Sequence, residues 1–109
     1  MGFTIDRVMF FLTRFCNFLS IIFFFSIVDR NPKIHVPMKP NVKYVANMHG
    51  NEAVGRELML HLIAYLLNSF NRSSNVKNLL KYTNIHILPS MNPDGFEKSI
   101  EGRCDGPGR

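Results

Sequence analysis

Two side chains that commonly bind metals lie close together near the middle of the chain. His49 and Glu52 are three residues apart, with Gly50 and Asn51 between them. An imidazole nitrogen and a carboxylate oxygen both bind zinc at about 2 Å, so the two side chains can share one ion across a tight turn. Gly50 allows such a turn because it has no Cβ atom. The spacing alone is weakly specific, since the helix dipole also favours a glutamate in a first helical turn.

A strand must end and a helix must begin around these two residues. Val42–Met48 is predicted as a strand, and its contiguous apolar residues Tyr44, Val45 and Ala46 indicate burial on both faces of a sheet. A helix is predicted over residues 53–70, because apolar residues recur there at helical spacing. The predicted buried face of this helix consists of Met59, Leu62, Ile63, Leu66, Leu67 and Phe70.

The opposite face of this helix is predicted to be exposed to solvent. Glu57, His61 and Asn68 fall on it, so His61 is interpreted as a surface residue and not as a metal ligand. Arg56 is left out of the catalytic set, because a surface position and a position at the mouth of the site remain equally open.

The following segment predicts a short helix, a second strand and a turn. Val76–Tyr82 is amphipathic, with Val76, Leu79 and Leu80 expected to face inward. The strand at 84–90 places Ile85 and Ile87 on one face, and His86 on the other face is interpreted as a cross-strand polar residue. The sequence of residues 92–95, Asn-Pro-Asp-Gly, fits a type I turn.

Two longer segments surround the candidate ligands and their downstream turn. Residues 49–58 read HGNEAVGREL and residues 89–97 read PSMNPDGFE. In this order they resemble the zinc metallocarboxypeptidases of the regulatory group, which includes carboxypeptidases N, E, M and D. The resemblance covers about Ser26 to Arg109. It implies an incomplete three-layer α/β/α domain, a mixed sheet with flanking helices, in which His49 and Glu52 match the first two zinc ligands.

Two Gly-Arg pairs near the carboxyl end compete for one catalytic position. The family has an arginine that polarises the scissile carbonyl, and either Arg103 or Arg109 matches it. A segment like Glu101-Gly102 with Cys104 precedes this arginine in some regulatory carboxypeptidases, so the resemblance favours Arg109, with Arg103 as the alternative. A guanidinium beside zinc would stabilise a developing oxyanion.

The resemblance also implies an activity and several missing parts. Family members use a zinc-activated water to remove carboxy-terminal residues, here expected to be Lys or Arg, from peptides and proteins. This sequence ends before the family's third ligand histidine, general base, carboxylate-binding Asn-Arg pair and acidic pocket residue. We therefore expect the chain alone to bind zinc weakly and to hydrolyse nothing. The alternative is a non-enzymatic, membrane-tethered remnant.

The amino-terminal segment is strongly apolar between Val8 and Val28. It has three interpretations: a secretory signal, a membrane anchor of about 20 residues, or sequence from outside the domain. Arg14 opposes an anchor, because a charge near the bilayer centre costs about 2.5 to 3.5 kcal/mol. The predicted organisation is an apolar segment at 1–25, which is signal-like, anchor-like or unrelated to the domain, followed by an incomplete carboxypeptidase domain at 26–109. The first two interpretations of the apolar segment predict an extracellular or membrane-associated location.

Composition excludes few other classes of protein. The 109 residues suffice for one small domain. The formal charge is +5, but the basic residues are scattered, so no nucleic-acid partner is predicted. Cys16 and Cys104 have neither metal-like spacing nor a disulfide framework. Asn71-Arg72-Ser73 is an N-glycosylation sequon that a secreted product could use, although a chance match is equally consistent with so short a pattern.

Overall fold

The computed structural model describes residues 8–14, 21–27 and 37–109. Within these residues the elements follow in the order β1 (Val8–Arg14), β2 (Ile21–Ile27), β3 (Asn41–Val45), α1 (Ala53–Ser69), α2 (Ser74–Tyr82), β4 (Asn84–Leu88) and α3 (Pro93–Lys98). The described strands form one sheet in the order β1-β2-β4-β3.

The sheet is mixed in strand direction. β1 pairs antiparallel with β2, and β2 pairs antiparallel with β4. β3 pairs parallel with β4, and the connection between them passes through α1 and α2. Parallel neighbours require such a crossover connection, because a tight hairpin can only join antiparallel strands. The predicted α/β class, a mixed sheet with flanking helices, is confirmed.

One apolar cluster holds α1 and α2 against the sheet. Its members are buried side chains from the helices, the turn after α1 and the two central strands: Ile27, Ile63, Leu66, Phe70, Val76, Leu80, Ile85 and Ile87. Burial of each such side chain contributes about 1.5 to 3 kcal/mol relative to exposure. The cluster determines which face of β4 receives both helices.

The predicted faces of the two helices agree with this cluster except at two leucines. Ile63, Leu66 and Phe70 are buried, Met59 and Leu62 pack against the cluster, and Glu57, His61 and Asn68 are exposed as expected. The expectation of inward side chains was wrong for Leu67 and Leu79, which are 36% and 44% exposed. Both lie at the margin of the helical stripe, where the sheet no longer covers them.

His86 is a cross-strand polar residue, as predicted. Its Nδ1 lies 2.9 Å from the Ser26 hydroxyl and its Nε2 lies 3.2 Å from Oδ1 of Asn41. Because the Asn41 amide oxygen can only accept, Nε2 carries the proton and Nδ1 accepts from Ser26. Burial, and secondarily the positive charge of Lys43, lowers the pKa of His86.

Two further expectations were wrong. β3 is not buried on both faces: it lies at one edge of the sheet, and Tyr44 and Val45 are 43% and 52% exposed. Residues 92–95 do not form an isolated type I turn. Asn92 is the N-cap of α3, and residues 93–95 lie in its first turn. A type I turn and a first helical turn have similar dihedral angles, and Pro is favoured at the start of both.

The apolar amino-terminal run contributes strands β1 and β2 in the part that the structure describes. β2 meets β4 at Phe25, Ser26 and Ile27, opposite Ile87, His86 and Ile85. Among the described residues, no helix has the length and apolar character needed to cross a membrane. Cys16 lies outside the described residues.

Candidate metal centre

The loops that follow β3 and β4 run side by side beyond the sheet. The backbone N–H of Ala46 donates to the carbonyl of Leu88, and that of Met91 donates to the carbonyl of Ala46, both at 3.0 Å. The N–H of Asn92 donates to the carbonyl of Asn47 at 3.0 Å. These bonds extend the pairing of β3 with β4 past the ends of both strands. Open α/β sheets bind ligands at this carboxyl edge of their strands.

The loop after β3 turns sharply and brings the two predicted ligands together. The N–H of Glu52 donates to the carbonyl of His49 at 3.1 Å, which closes the turn. On one side of this turn, Nδ1 of His49 lies 3.1 Å from Oε1 of Glu52. Both side chains remain accessible, with 43% and 64% of their surface exposed. The imidazole and the carboxylate therefore meet at hydrogen-bond distance, and both remain open to solvent.

This arrangement fits two ligands of one zinc ion. Two donors at about 2.0 to 2.1 Å from a tetrahedral ion are about 3.4 Å apart. The observed separation of 3.1 Å is slightly shorter, so small rotations of the side chains would open the required space. No group of three or more His, Cys, Asp or Glu side chains arranged for a metal occurs in the described parts of the chain. Among the described residues, His49 and Glu52 are thus a candidate pair of ligands.

Three glycines pack the loop against the last residues of the chain. The N–H of Gly50 donates to the carbonyl of Gly108 at 2.8 Å. A Cβ atom on Gly50 would lie 2.0 Å from the carbonyl carbon of Gly95, and one on Gly108 would lie 2.0 Å from the Gly95 oxygen. Gly108 also has a φ of 100°, which favours glycine. This contact of backbone with backbone brings the carboxy-terminal segment to the candidate ligands.

α3 supplies the middle layer of that contact. Oδ1 of Asn92 accepts from the N–H of Gly95 at 2.9 Å, which caps the helix. The Arg56 guanidinium lies 4.0 Å from the centre of the Phe96 ring, so a cation–π contact ties the first turn of α1 to α3. Arg56, which sequence patterns left undecided, therefore packs between the two helices.

A cleft of about 690 Å³ opens beside the glycine contact. Glu52 lines it, as do both arginines considered from the sequence, Arg103 and Arg109. The amide of Asn51 donates to the carbonyl of Cys104 at 2.9 Å and so holds the segment between these arginines close to the loop. Of the three predicted site residues, His49 meets Glu52, and Glu52 and Arg109 both line the cleft, whereas His49 is not among its lining residues.

Sequence patterns did not identify Asn47 as a residue of this centre. It is 4% exposed and lies directly before the loop that carries the candidate ligands. Its only sequence signal was its position near the end of a predicted strand. Asn is frequent at such positions because it favours turns, so the signal did not indicate a role in a metal site.

The family model described as Zinc carboxypeptidase matches residues 25–108, which include His49, Glu52 and Arg103 and end one residue before Arg109. The chain belongs to the zinc carboxypeptidase family. The resemblance seen in residues 49–58 and 89–97 is thereby confirmed.

Proteins named as carboxypeptidases D, M and N are similar to more than two thirds of the chain. Carboxypeptidase D of Mus musculus is 55% identical over 75 residues, which is 69% of this chain and 5% of that protein. Carboxypeptidase M of Mus musculus is 56% identical over 78 residues, or 72% and 18% of the two chains. The carboxypeptidase N catalytic chain of Homo sapiens is 54% identical over 79 residues, or 72% and 17%. The chain therefore spans under a fifth of the length of these relatives.

Proposed function

We propose that residues 26–109 are the amino-terminal part of a zinc metallocarboxypeptidase domain, in which His49 and Glu52 are two zinc ligands. The observation that carries the proposal is the 3.1 Å separation of Nδ1 and Oε1 at the carboxyl edge of the sheet. Membership of the zinc carboxypeptidase family supports the identity of the metal. The family match, which begins at residue 25, supports a boundary between residues 1–25 and this domain.

The proposed substrates are the carboxyl termini of peptides and proteins, with Lys or Arg as the last residue. Bound zinc would supply a polarised water as nucleophile. Arg109 would place a guanidinium beside the carbonyl oxygen under attack and stabilise the negative charge that develops there. Its position in the cleft with Glu52 supports this role, and Arg103 in the same cleft is the alternative.

The chain by itself is proposed to bind zinc weakly and to hydrolyse no peptide. Two protein ligands hold zinc less firmly than the three of a catalytic site, and the family's general base lies beyond the segment that resembles this chain. The proposed location is extracellular or membrane-associated, on the strength of the apolar run between Val8 and Val28. The alternative function, a membrane-tethered remnant without enzymatic activity, rests on the same run.

Zinc titration of the full chain tests the ligand pair. His49→Ala and Glu52→Gln are expected to abolish saturable zinc binding, measured by isothermal titration calorimetry. The matched controls are His61→Ala and Glu57→Gln, because both residues are exposed on α1 and outside the candidate centre. Equal losses from the controls and the ligand variants would contradict the proposal. Turnover of a peptide ending in Arg that a chelator abolishes would contradict the inactive state of the chain.

The role of Arg109 can be tested without turnover. A phosphinate peptide ending in Arg mimics the charge and shape of a tetrahedral carbonyl adduct. In the presence of zinc, Arg109→Ala is expected to weaken binding of this peptide to the full chain about tenfold or more, the loss typical of a hydrogen bond to a charged group. Arg103→Ala is the matched control, and the opposite ranking of the two variants would transfer the role to Arg103.

A further inference from the structure

Asn47 is a buried polar residue between β3 and the segment that carries the candidate zinc ligands. We name residues 48–52 the metal loop. Asn47 is 4% exposed and has a φ of 55°, in the left-handed region that Asn tolerates better than most residues. Its backbone carbonyl accepts from the N–H of Asn92, so its main chain is attached to the neighbouring loop. The main chain of Asn47 is therefore fixed by a hydrogen bond that does not involve its side chain.

The side-chain amide of Asn47 lies inside the turn of the metal loop. Its Nδ2 donates to the carbonyls of His49 and Gly50 at 3.0 and 2.9 Å, and the carbonyl of Glu52 lies 3.4 Å away. An NH₂ group has two hydrogens, so the two shorter bonds use both and the third contact is a shared, longer one. The side chain of Asn47 thus contacts the backbone carbonyls of both candidate ligands, His49 and Glu52.

Three carbonyl oxygens determine which way this amide points. Oδ1 of Asn47 accepts from the Ser90 hydroxyl at 2.8 Å. The reversed amide would place Oδ1 against three carbonyl oxygens, none of which can donate. The NH₂ group must therefore face the metal loop, and the Ser90 hydroxyl, which can donate or accept, donates to Oδ1 and holds the amide from the side of the loop after β4.

We propose that Asn47 is the positioning residue of the zinc site: its amide fixes the backbone of the metal loop so that the side chains of His49 and Glu52 converge. This inference rests on the proposed zinc ligation by those two residues. Both side chains are largely exposed, so packing does little to orient them. A backbone held from inside the turn sets the directions of their Cα–Cβ bonds. Zinc then binds a pair of ligands that needs little rearrangement.

Three substitutions in the full chain separate the amide bonds from the backbone conformation. Asn47→Gly keeps the positive φ and removes the amide. Asn47→Asp keeps the shape but has no hydrogens to donate to the carbonyls. Ser90→Ala leaves Asn47 in place and removes the hydroxyl that donates to its Oδ1. The matched control is Ser26→Ala, which removes a different buried hydroxyl, bonded to His86 on the far side of β4.

The first readout is zinc affinity, measured by calorimetry. Asn47→Gly and Asn47→Asp are expected to bind zinc about 10- to 100-fold more weakly, the range seen when residues that orient metal ligands are replaced. Ser90→Ala should give a smaller loss in the same direction. Ser26→Ala should leave zinc affinity unchanged, although it also removes a buried hydrogen bond.

The second readout needs no metal. Amide hydrogen exchange reports local opening separately from global unfolding. Asn47→Gly should accelerate exchange at Gly50 and Glu52, whose N–H groups bond to the carbonyls of Gly108 and His49, while the core amides of Ile85 and Ile87 keep their protection. A merely structural role would loosen the core and the loop together.

Each outcome bears on one of the two proposals. If the unaltered chain binds no zinc, the ligand pair and this role of Asn47 fall together. If the unaltered chain binds zinc through His49 and Glu52 but Asn47→Gly binds it equally well, the role of Asn47 alone is overturned. An equal loss of zinc affinity in Asn47→Gly and Ser26→Ala would also overturn it, because stability would then explain both.

Discussion

Replacing Gly50 with alanine tests the contact that brings the carboxy-terminal segment to the candidate zinc site. The new Cβ would lie 2.0 Å from the carbonyl carbon of Gly95 and 2.3 Å from the nitrogen of Phe96. Both are backbone atoms, so no side-chain rotation relieves the overlap. The metal loop must instead move away from α3, and the bond from the Gly50 N–H to the Gly108 carbonyl is lost with it.

The expected cost follows from these two effects. Overpacking typically destabilises a protein by about 1 to 3 kcal/mol. A lost hydrogen bond adds about 0.5 to 1.5 kcal/mol. The free energy of unfolding should therefore fall by roughly 2 to 4 kcal/mol, a large part of the roughly 5 to 15 kcal/mol typical of native proteins.

Gly55 is a matched control in the same part of the chain. It lies in the first turn of α1, and a Cβ there would meet only the Cβ of Ala46, at 3.4 Å. Gly55→Ala should leave stability unchanged or raise it by about 0.4 to 1 kcal/mol, because alanine restricts the unfolded chain. The two substitutions make the same chemical change but have opposite predicted signs.

Urea unfolding of the full chain, followed by far-ultraviolet circular dichroism, measures both effects. Gly50→Ala should lower the midpoint and Gly55→Ala should not, with similar slopes for all three proteins. A Gly50→Ala variant as stable as the unaltered chain would refute the close packing of the metal loop on α3. It would also remove the geometric reason for placing Arg109 in the same cleft as Glu52.

Two further predictions concern the far face of β4 and the turn between the helices. Because burial and Lys43 lower the pKa of His86, its neutral form stabilises the fold above the unfolded pKa of about 6.5, and this contribution is lost as the pH falls through the lower folded pKa. Urea unfolding between about pH 7.5 and pH 5 should show a smaller pH dependence for His86→Gln, and an unchanged dependence would contradict it. Asn71 is exposed in the turn after α1, so translation with microsomes should add a glycosidase-sensitive glycan that Asn71→Gln removes. Ser73→Thr should retain the glycan, and an unmodified chain would argue against the secretory pathway.

Local sequence patterns predicted the parts of the fold that depend on neighbouring residues. The period of apolar residues identified α1 and its buried Ile63 and Leu66, and the alternation in β4 identified Ile85 and Ile87. The resemblance carried by residues 49–58 identified His49 and Glu52 as a pair before any distance was known. Such patterns are informative because side-chain direction repeats every 3.6 residues in a helix and every two in a strand.

Other features depended on which elements became neighbours in space. An apolar run such as Tyr44-Val45-Ala46 is the same whether its strand is central or at an edge, and only strand order places β3 at an edge. The Asn-Pro-Asp-Gly segment fits a turn and a helix start equally. In the structure it starts α3, and Gly95 of this helix packs between Gly50 and Gly108.

The chemical types of the candidate ligands and their separation along the chain were thus properties of the sequence. Their convergence was decided by tertiary structure, through contacts between residues far apart in the chain. The Ser90 hydroxyl donates to the amide oxygen of Asn47, and the carbonyl of Gly108 accepts from the N–H of Gly50. A spacing of three residues allows many directions for two side chains, and these distant contacts select the one in which His49 faces Glu52.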